Sequence, residues 1–421
     1  MSQAEQTIRE IPVAIIGYGT AGVNAIIGLR TAGYEGEITV FSSTGILPYS
    51  PMMTSYYAGG KKTYDECFPW TAEELGSLDV QVMENCPVTG LDVENHLIHT
   101  DGGSFRYEKC ILATGATPQT VGCPPVEGYE PIVLRTMDDA ERLKKAIESP
   151  ACWRVLVSGA SMVALKSLEA CLDRGVDVTI VGMNPHVLDF NAFEEAAVRF
   201  ERGLESKGVH MRFGQTMRSI ELYDDAEEGN LGVTFSDDET EFFDEVVVCH
   251  GMKCNLDFLP EGALDMDRAL LVDEFMRTSD PDVYAAGDIA QALELISGER
   301  RIVGIWKNAA RQGAVAGAAV AEELSGGEPA PEIAYTGSIP TNTIAVNGTL
   351  FISAGTMEMT PERYKEIRET DDMTVVYLFE NLPDGDRRLV GFNLVCDHDE
   401  EGGVAYDTGA MLTLQIEAAC R

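Results

Sequence analysis

Six residues, Gly17-Tyr18-Gly19-Thr20-Ala21-Gly22, place three glycines at the G-x-G-x-x-G spacing directly after the apolar run Val13-Ala14-Ile15-Ile16. This pattern suits the binding of a pyrophosphate, and each glycine has its own task. Gly17 permits a tight turn, Gly19 lets the backbone approach the phosphates, and Gly22 lets the next helix lie close to the strand. Thr20 and Ala21 complete the turn before that helix, whose free N–H groups and dipole face the negative charge. A second run, Ser158-Gly159-Ala160-Ser161-Met162-Val163-Ala164, follows Arg154-Val155-Leu156-Val157 but keeps only Gly159. Ser161 and Ala164 stand where glycines are expected and put a Cβ where backbone and phosphate should meet. The following strand ends at Val181-Gly182-Met183, with neither an acid for a ribose 2′-hydroxyl nor an arginine for a 2′-phosphate. The second site therefore reads either as weakened or as a retained fold whose site is lost.

Other candidate groups are fewer. In Val283-Tyr284-Ala285-Ala286-Gly287-Asp288, a strand ends on a carboxylate that can meet a ribityl hydroxyl and on backbone that can meet a phosphate. Ala113-Thr114-Gly115 ends another apolar strand, where the backbone would cross between domains. Val246 to Gly251 is a similar strand, and its His250 is either a proton donor or a structural residue. Ten cysteines are scattered with no Cys-x-x-Cys pair, which suits reduced structural thiols better than disulfides or a metal site. No His, Asp or Glu cluster has metal-ligand spacing, so no metal is expected.

The elements that must position these groups follow from the same stretches. Val13–Ile16, the turn, a helix over Val23–Thr31 and the strand Ile38–Phe41 form one βαβ unit. Arg154–Val157, its turn and the strand Val176–Val181 form another, so the chain carries an architectural repeat. Glu328–Glu332, after Gly326 and Gly327, reads as a linker, and the remainder as strands with a hairpin across Pro383-Asp384-Gly385-Asp386. A chain of 421 residues with 45% apolar composition supports two or three domains. With 69 acidic and 31 basic residues the net charge is −38, which repels nucleic acid and anionic membrane. The charge serves solubility or steers a cationic partner. Met1–Glu10 has no apolar core of a secretory signal, and no stretch approaches the roughly 18 apolar residues of a membrane span. The expected location is the cytoplasm.

Four motifs in order, GYGTAG at Gly17–Gly22, ILATGATP at Ile111–Pro118, SGASMVA at Ser158–Ala164 and VYAAGD at Val283–Asp288, resemble the pyridine nucleotide–disulfide oxidoreductase superfamily over nearly the whole chain. The resemblance implies an α/β fold with two tandem Rossmann-like dinucleotide-binding domains of the three-layer ββα type and a C-terminal α+β interface domain. Its boundaries here would be 1–118 and 250–327 for FAD, 119–249 for an NAD(P)-binding-like domain, and 328–421 for an interface that often forms a dimer. It implies that Gly17, Gly19 and Gly22 hold the pyrophosphate and that Asp288 meets the ribityl chain.

Ile38–Gly60 and the segment Trp306–Gly313 look like the ferredoxin and rubredoxin reductase branch, where the latter motif lies near the isoalloxazine. Pro48-Tyr49-Ser50-Pro51-Met52 also lies on the NADH oxidase and coenzyme A–disulfide reductase pattern, with Met52 at the redox cysteine. A thioether forms no thiolate, so cysteine shuttling is not available there. Ser42 stands where many members place an acid for the adenosine ribose, Tyr56 where the reductase branch places a lysine near the flavin, and Lys166 where a glutamate sits beside the nicotinamide. The expected activity is FAD-dependent transfer of electrons from NAD(P)H to a small electron-transfer protein or a small molecule. The alternatives are a flavoprotein with another donor or a small-molecule substrate, and a non-catalytic FAD-binding subunit.

Overall fold

The computed structural model describes residues 8–223, 229–397 and 403–420. The acidic run Asp224-Asp225-Ala226-Glu227-Glu228, expected as a solvated loop, lies outside them. The chain forms two compact units, each assembled from separate stretches.

Unit 1 comprises Met1–Ser50, Phe68–Thr117 and Lys253–Ile339. Its sheet runs in the order Gln81–Met83, Ile38–Phe41, Arg9–Ile16, Gly103–Leu112, Leu97–Thr100, Val88–Asp92. Strand Arg9–Ile16 is parallel to both neighbours. The long strand Gly103–Leu112 divides its other edge, pairing antiparallel with Leu97–Thr100 and then parallel with Val283–Ala285. The parallel strands are buried on both faces, which is why they read as continuous Val/Ile/Leu runs. Pairing of Ile16 with Leu112, and of Leu112 with Ala285, aligns three strand ends. Gly17, Ala113 and Ala286 therefore meet at one sheet edge, the carboxyl edge where α/β sheets bind ligands. The Thr20–Thr31 and Trp306–Leu324 helices pack against each other and share the core with this sheet.

Unit 2 comprises Pro51–Cys67, Pro118–Met252 and Pro340–Arg421. A parallel sheet orders His210–Phe213, Asp177–Gly182, Arg154–Ser158 and Glu245–Val248, and Met217–Leu222, Leu231–Phe235 and Thr240–Phe243 form an antiparallel sheet. Its last portion is a five-stranded antiparallel sheet in the order Thr341–Val346, Thr349–Gly355, Arg387–Cys396, Met373–Asn381, Arg363–Glu369. Neighbouring residues of one strand point to opposite faces. Accordingly Phe351 meets Phe200 of helix Glu194–Glu205, while Ile352 lies against Gly409 of helix Gly403–Cys420.

The α/β class with two Rossmann-like units is as expected from the residues. The hairpin at Pro383–Asp386 forms, with Asn381 paired to Arg387. Two expectations change. Glu328–Glu332 does not release the chain from unit 1, because Tyr335 is buried there and its hydroxyl donates to Asn308 Oδ1 at 2.7 Å. The C-terminal stretch is not all strand, since Gly403–Cys420 is helical. It carries apolar residues around its whole circumference, so neither a helical nor a strand period stands out. No helix among the described residues is long and apolar enough to cross a membrane.

Candidate functional site

In the first turn, the backbone explains why Gly17 and Gly19 are glycines, and the reasons differ. Gly17 has φ +109°, and a Cβ there would lie 2.3 Å from the Ala113 carbonyl oxygen. The protein itself requires that glycine. Gly19 has φ −88°, an ordinary value, and a Cβ there would meet nothing within 4 Å. Nothing in the protein requires glycine at this position; the open space does, if a ligand fills it. Gly19 is also the N-cap of Thr20–Thr31 and provides no side-chain cap, so the first N–H groups of the helix keep their hydrogens for a ligand. Thr20 and Ala21 are buried in that first turn.

The neighbouring strand ends are held by residues that the sequence did not single out. Asn255 takes a hydrogen bond from Thr114 Oγ1 to its carbonyl at 2.7 Å, donates its amide to the Thr114 carbonyl at 3.0 Å, and donates its N–H to the Gly115 carbonyl at 2.9 Å. Gln312 accepts the Gly287 N–H at 2.8 Å, so that N–H is already engaged within the protein. The half-buried Asp288 follows Gly287, whose φ of +85° bends the strand end. Ser42 is buried and its hydroxyl donates to the Thr44 carbonyl at 2.8 Å. Ser50 is also buried. Trp306 opens its helix stacked on Trp70, with ring centroids 6.2 Å apart, and its buried indole N–H has no partner among the described residues. An open space at Gly19, an uncapped helix start and an orphaned indole N–H fit a dinucleotide that ends in a ring with hydrogen-bond acceptors.

The second turn repeats the backbone but not the opening. Gly159 has φ +118°, and its Cβ would lie 2.4 Å from the Cys249 carbonyl, matching Gly17 against Ala113. Ser161, however, caps its own helix: its hydroxyl accepts the Ala164 N–H at 3.4 Å. One donor that a phosphate would use is thus already engaged. Ala164 is wholly buried, so its Cβ lies in packing and not in phosphate space, which corrects the expectation. If this turn takes a nicotinamide dinucleotide, Ser161→Gly should tighten that binding by about threefold while costing only a few tenths of a kcal/mol in helix stability. Ala164→Gly should instead lower stability by about 1 kcal/mol with no gain in affinity. Nucleotide titration and thermal unfolding of both variants check the contrast.

The remaining candidates lie in unit 2. The Lys166 ammonium sits 4.0 Å from the ring centroid of Tyr56, so the structure joins these two. Lys166 is ion-paired with the buried Glu169 and donates to the Ala345 carbonyl at 3.3 Å, and Lys61 binds the same Glu169 at 2.8 Å. Met52 is exposed in the short Pro51–Met53 turn. Cys67 is wholly buried, and burial, helped by Glu66, pushes its thiol pKa up. All ten cysteines are free thiols. Burial likewise pushes Cys249 up to about 12. In unit 1, His96, Asp280 and Asp282 bring ligand atoms within 4.8 Å of one another, a grouping that sequence spacing did not reveal. The Lys109 ammonium, 2.7 Å from Asp282 Oδ1, already supplies a cation there.

A family profile described as pyridine nucleotide-disulphide oxidoreductase matches residues 11–313. The chain is 30% identical over 378 residues, 89% of its length and 86% of the relative's, to the NADH-dependent phenylglyoxylate dehydrogenase subunit epsilon of Aromatoleum evansii. It is 30% identical over 284 residues, 66% of its length and 72% of the relative's, to a rubredoxin-NAD(+) reductase of Ectopseudomonas oleovorans. The fold superposes on the water-forming NADH oxidase of Lactobacillus brevis with a TM-score of 0.84 at 21% identity, covering 96% of this chain and 91% of that one.

Proposed function

The chain belongs to the pyridine nucleotide-disulphide oxidoreductase family, and on that premise we propose that it carries electrons from NADH or NADPH through FAD to an acceptor without a cysteine relay. The observation that carries this reading is the open space at Gly19 beside an uncapped helix start. Gly17, Gly19, Thr20, Ala21 and Gly22 would hold the pyrophosphate of FAD. Ala113–Gly115, Gly287 and Asp288 would border its ribityl chain, Ser42 and Ser50 would line its adenosine and ring ends, and Trp306 would offer its indole N–H. Bound FAD supplies the electron-transfer chemistry. The turn at Gly159 would take the nicotinamide dinucleotide.

The chain's own groups favour direct transfer. Met52 has no thiol, and the nearby Cys67 is buried with its thiol held protonated. Lys166, from the helix Met162–Leu172, would fix the Tyr56 ring of the short helix that follows Met52 and place an ammonium beside it. By this reading 1–118 and 250–327, with the stretch 328–339 that stays in unit 1, serve FAD, 119–249 the nicotinamide nucleotide and 340–421 the interface of a homodimer. Ten free thiols support a reducing compartment such as the cytoplasm. The acceptor is a small electron-transfer protein or a small molecule. With a net charge of −38, an acidic acceptor would meet like-charge repulsion and bind faster as salt rises. Native protein treated with iodoacetamide should keep its NADH-driven reduction of ferricyanide. Loss of turnover in step with alkylation of one cysteine would contradict direct transfer, and absence of turnover with either nucleotide would contradict the donor.

The match to the epsilon subunit favours a second reading of the acceptor. That likeness spans 89% of the chain, whereas the likeness to the rubredoxin reductase spans 66%. By this reading the chain exchanges electrons with another subunit of a larger dehydrogenase. Isolation from its source under mild conditions separates the two readings. A stable assembly with other chains supports the subunit, and the chain alone or as a homodimer supports a free reductase.

A further inference from the structure

Ser158 ends the strand that leads into the second turn, and the residue is 4% exposed. A buried hydroxyl requires a partner, and here the partner comes from a segment 92 residues away: Ser158 Oγ lies 2.8 Å from His250 Nε2. His250 Nδ1 lies 2.8 Å from the Val121 carbonyl oxygen. A carbonyl only accepts, so in the neutral ring Nδ1 carries the hydrogen and Nε2 accepts from Ser158. The imidazole thereby joins three stretches: the start of the turn, the segment at Val121 that enters this part of unit 2, and the segment at His250 that leaves it. The backbone is drawn together at the same point. The Cys249 N–H donates to the Ser158 carbonyl at 2.7 Å, the Gln119 N–H donates to the Gly251 carbonyl at 2.9 Å, and Gly159 is pressed against the Cys249 carbonyl.

We propose that His250 is a positioning residue for the nicotinamide dinucleotide, fixing through Ser158 the strand-to-turn junction from which the Gly159 turn offers its N–H groups. The inference rests on the reading that this turn takes NADH or NADPH. The need for such a brace follows from the turn itself. With Ser161 engaged in its own cap, fewer N–H groups remain for the phosphates, and those that remain bind well only if their directions are fixed. The hydrogen bond from Ser158 also keeps its hydroxyl from turning onto those same N–H groups.

Two substitutions at His250 separate its two bonds. His250→Asn places an amide N–H near the position of Nδ1 and keeps the Val121 contact while losing Ser158. His250→Gln places a carbonyl oxygen near Nε2 and keeps the acceptor for Ser158. Flavin-loaded wild type, Ser158→Ala, His250→Asn and His250→Gln are mixed anaerobically with NADH, and the rate of flavin bleaching is followed against NADH concentration. Ser158→Ala and His250→Asn should each raise the apparent Kd for NADH about tenfold, the loss of roughly one hydrogen bond's worth of fixed geometry. Their flavin content and limiting rate should stay at the wild-type values, and His250→Gln should bind NADH within about threefold of wild type. An unchanged Kd in folded Ser158→Ala or His250→Asn overturns the proposal, because a merely structural brace would lower the melting temperature alone. Equal weakening in His250→Gln and His250→Asn also overturns it, since the Val121 contact would then be the one that matters. Wild-type flavin that neither NADH nor NADPH bleaches overturns the reading of the second turn itself, and this inference with it.

Discussion

Gly19→Val is expected to fold and to lose its FAD. The space beside Gly19 is open, and its φ of −88° suits any residue, so the added Cβ has no protein atom within 4 Å and strains no backbone. The isopropyl group would stand where the phosphates approach the helix start. FAD affinity should fall by at least about a hundredfold, which corresponds to about 2.7 kcal/mol. Because a bound ligand stabilises the folded state, the comparison of melting temperature belongs between the two apoproteins. The absorbance spectrum of the purified variant gives its flavin content. A folded variant with full flavin content would remove the first turn as the site.

Gly17→Val, two positions earlier, should do the opposite and fail to fold. A Cβ at Gly17 would lie 2.3 Å from the Ala113 carbonyl oxygen, which is backbone and cannot rotate away, and the φ of +109° is unfavourable for a β-branched residue. Overlap and strain together should cost more than about 4 kcal/mol, a large part of the stability of a typical domain. Low soluble yield and loss of the cooperative unfolding transition are the expected readouts. Soluble Gly17→Val with a wild-type melting temperature would show that the strand ends do not meet as described.

The contrast between these two glycines shows how far the sequence can be read. The G-x-G-x-x-G spacing and the flanking apolar runs were sufficient to place the turn, its helix and both βαβ units, because local period and turn chemistry decide them. The strand Ile38–Phe41 falls where the apolar run puts it. The different reasons for Gly17 and Gly19 were not legible, since one depends on Ala113 and the other on empty space. The same holds for Asn255, which secures Thr114 and Gly115 from 141 residues away in sequence, and for Ser158 with His250. Gln312 did leave a trace, as a polar residue within the small apolar side chains of Trp306–Leu324. At Ser161 and Ala164 the substitutions were visible, but which of them touches phosphate depends on the cap and the burial. The pairing of Lys166 with Tyr56 follows from packing between the short Thr54–Ala58 helix and Met162–Leu172, which no local pattern encodes.

Direct transfer without a cysteine relay fixes how many electrons the protein can store, and anaerobic titration of the FAD-loaded protein with NADH measures that number. With FAD as the one two-electron acceptor, about one equivalent of NADH per flavin should bleach the flavin fully, with no long-wavelength band from a thiolate beside it. If NADH fails and NADPH bleaches with the same stoichiometry, the account holds with NADPH as donor. Full bleaching that requires a second equivalent, or flavin that neither nucleotide reduces, would contradict it.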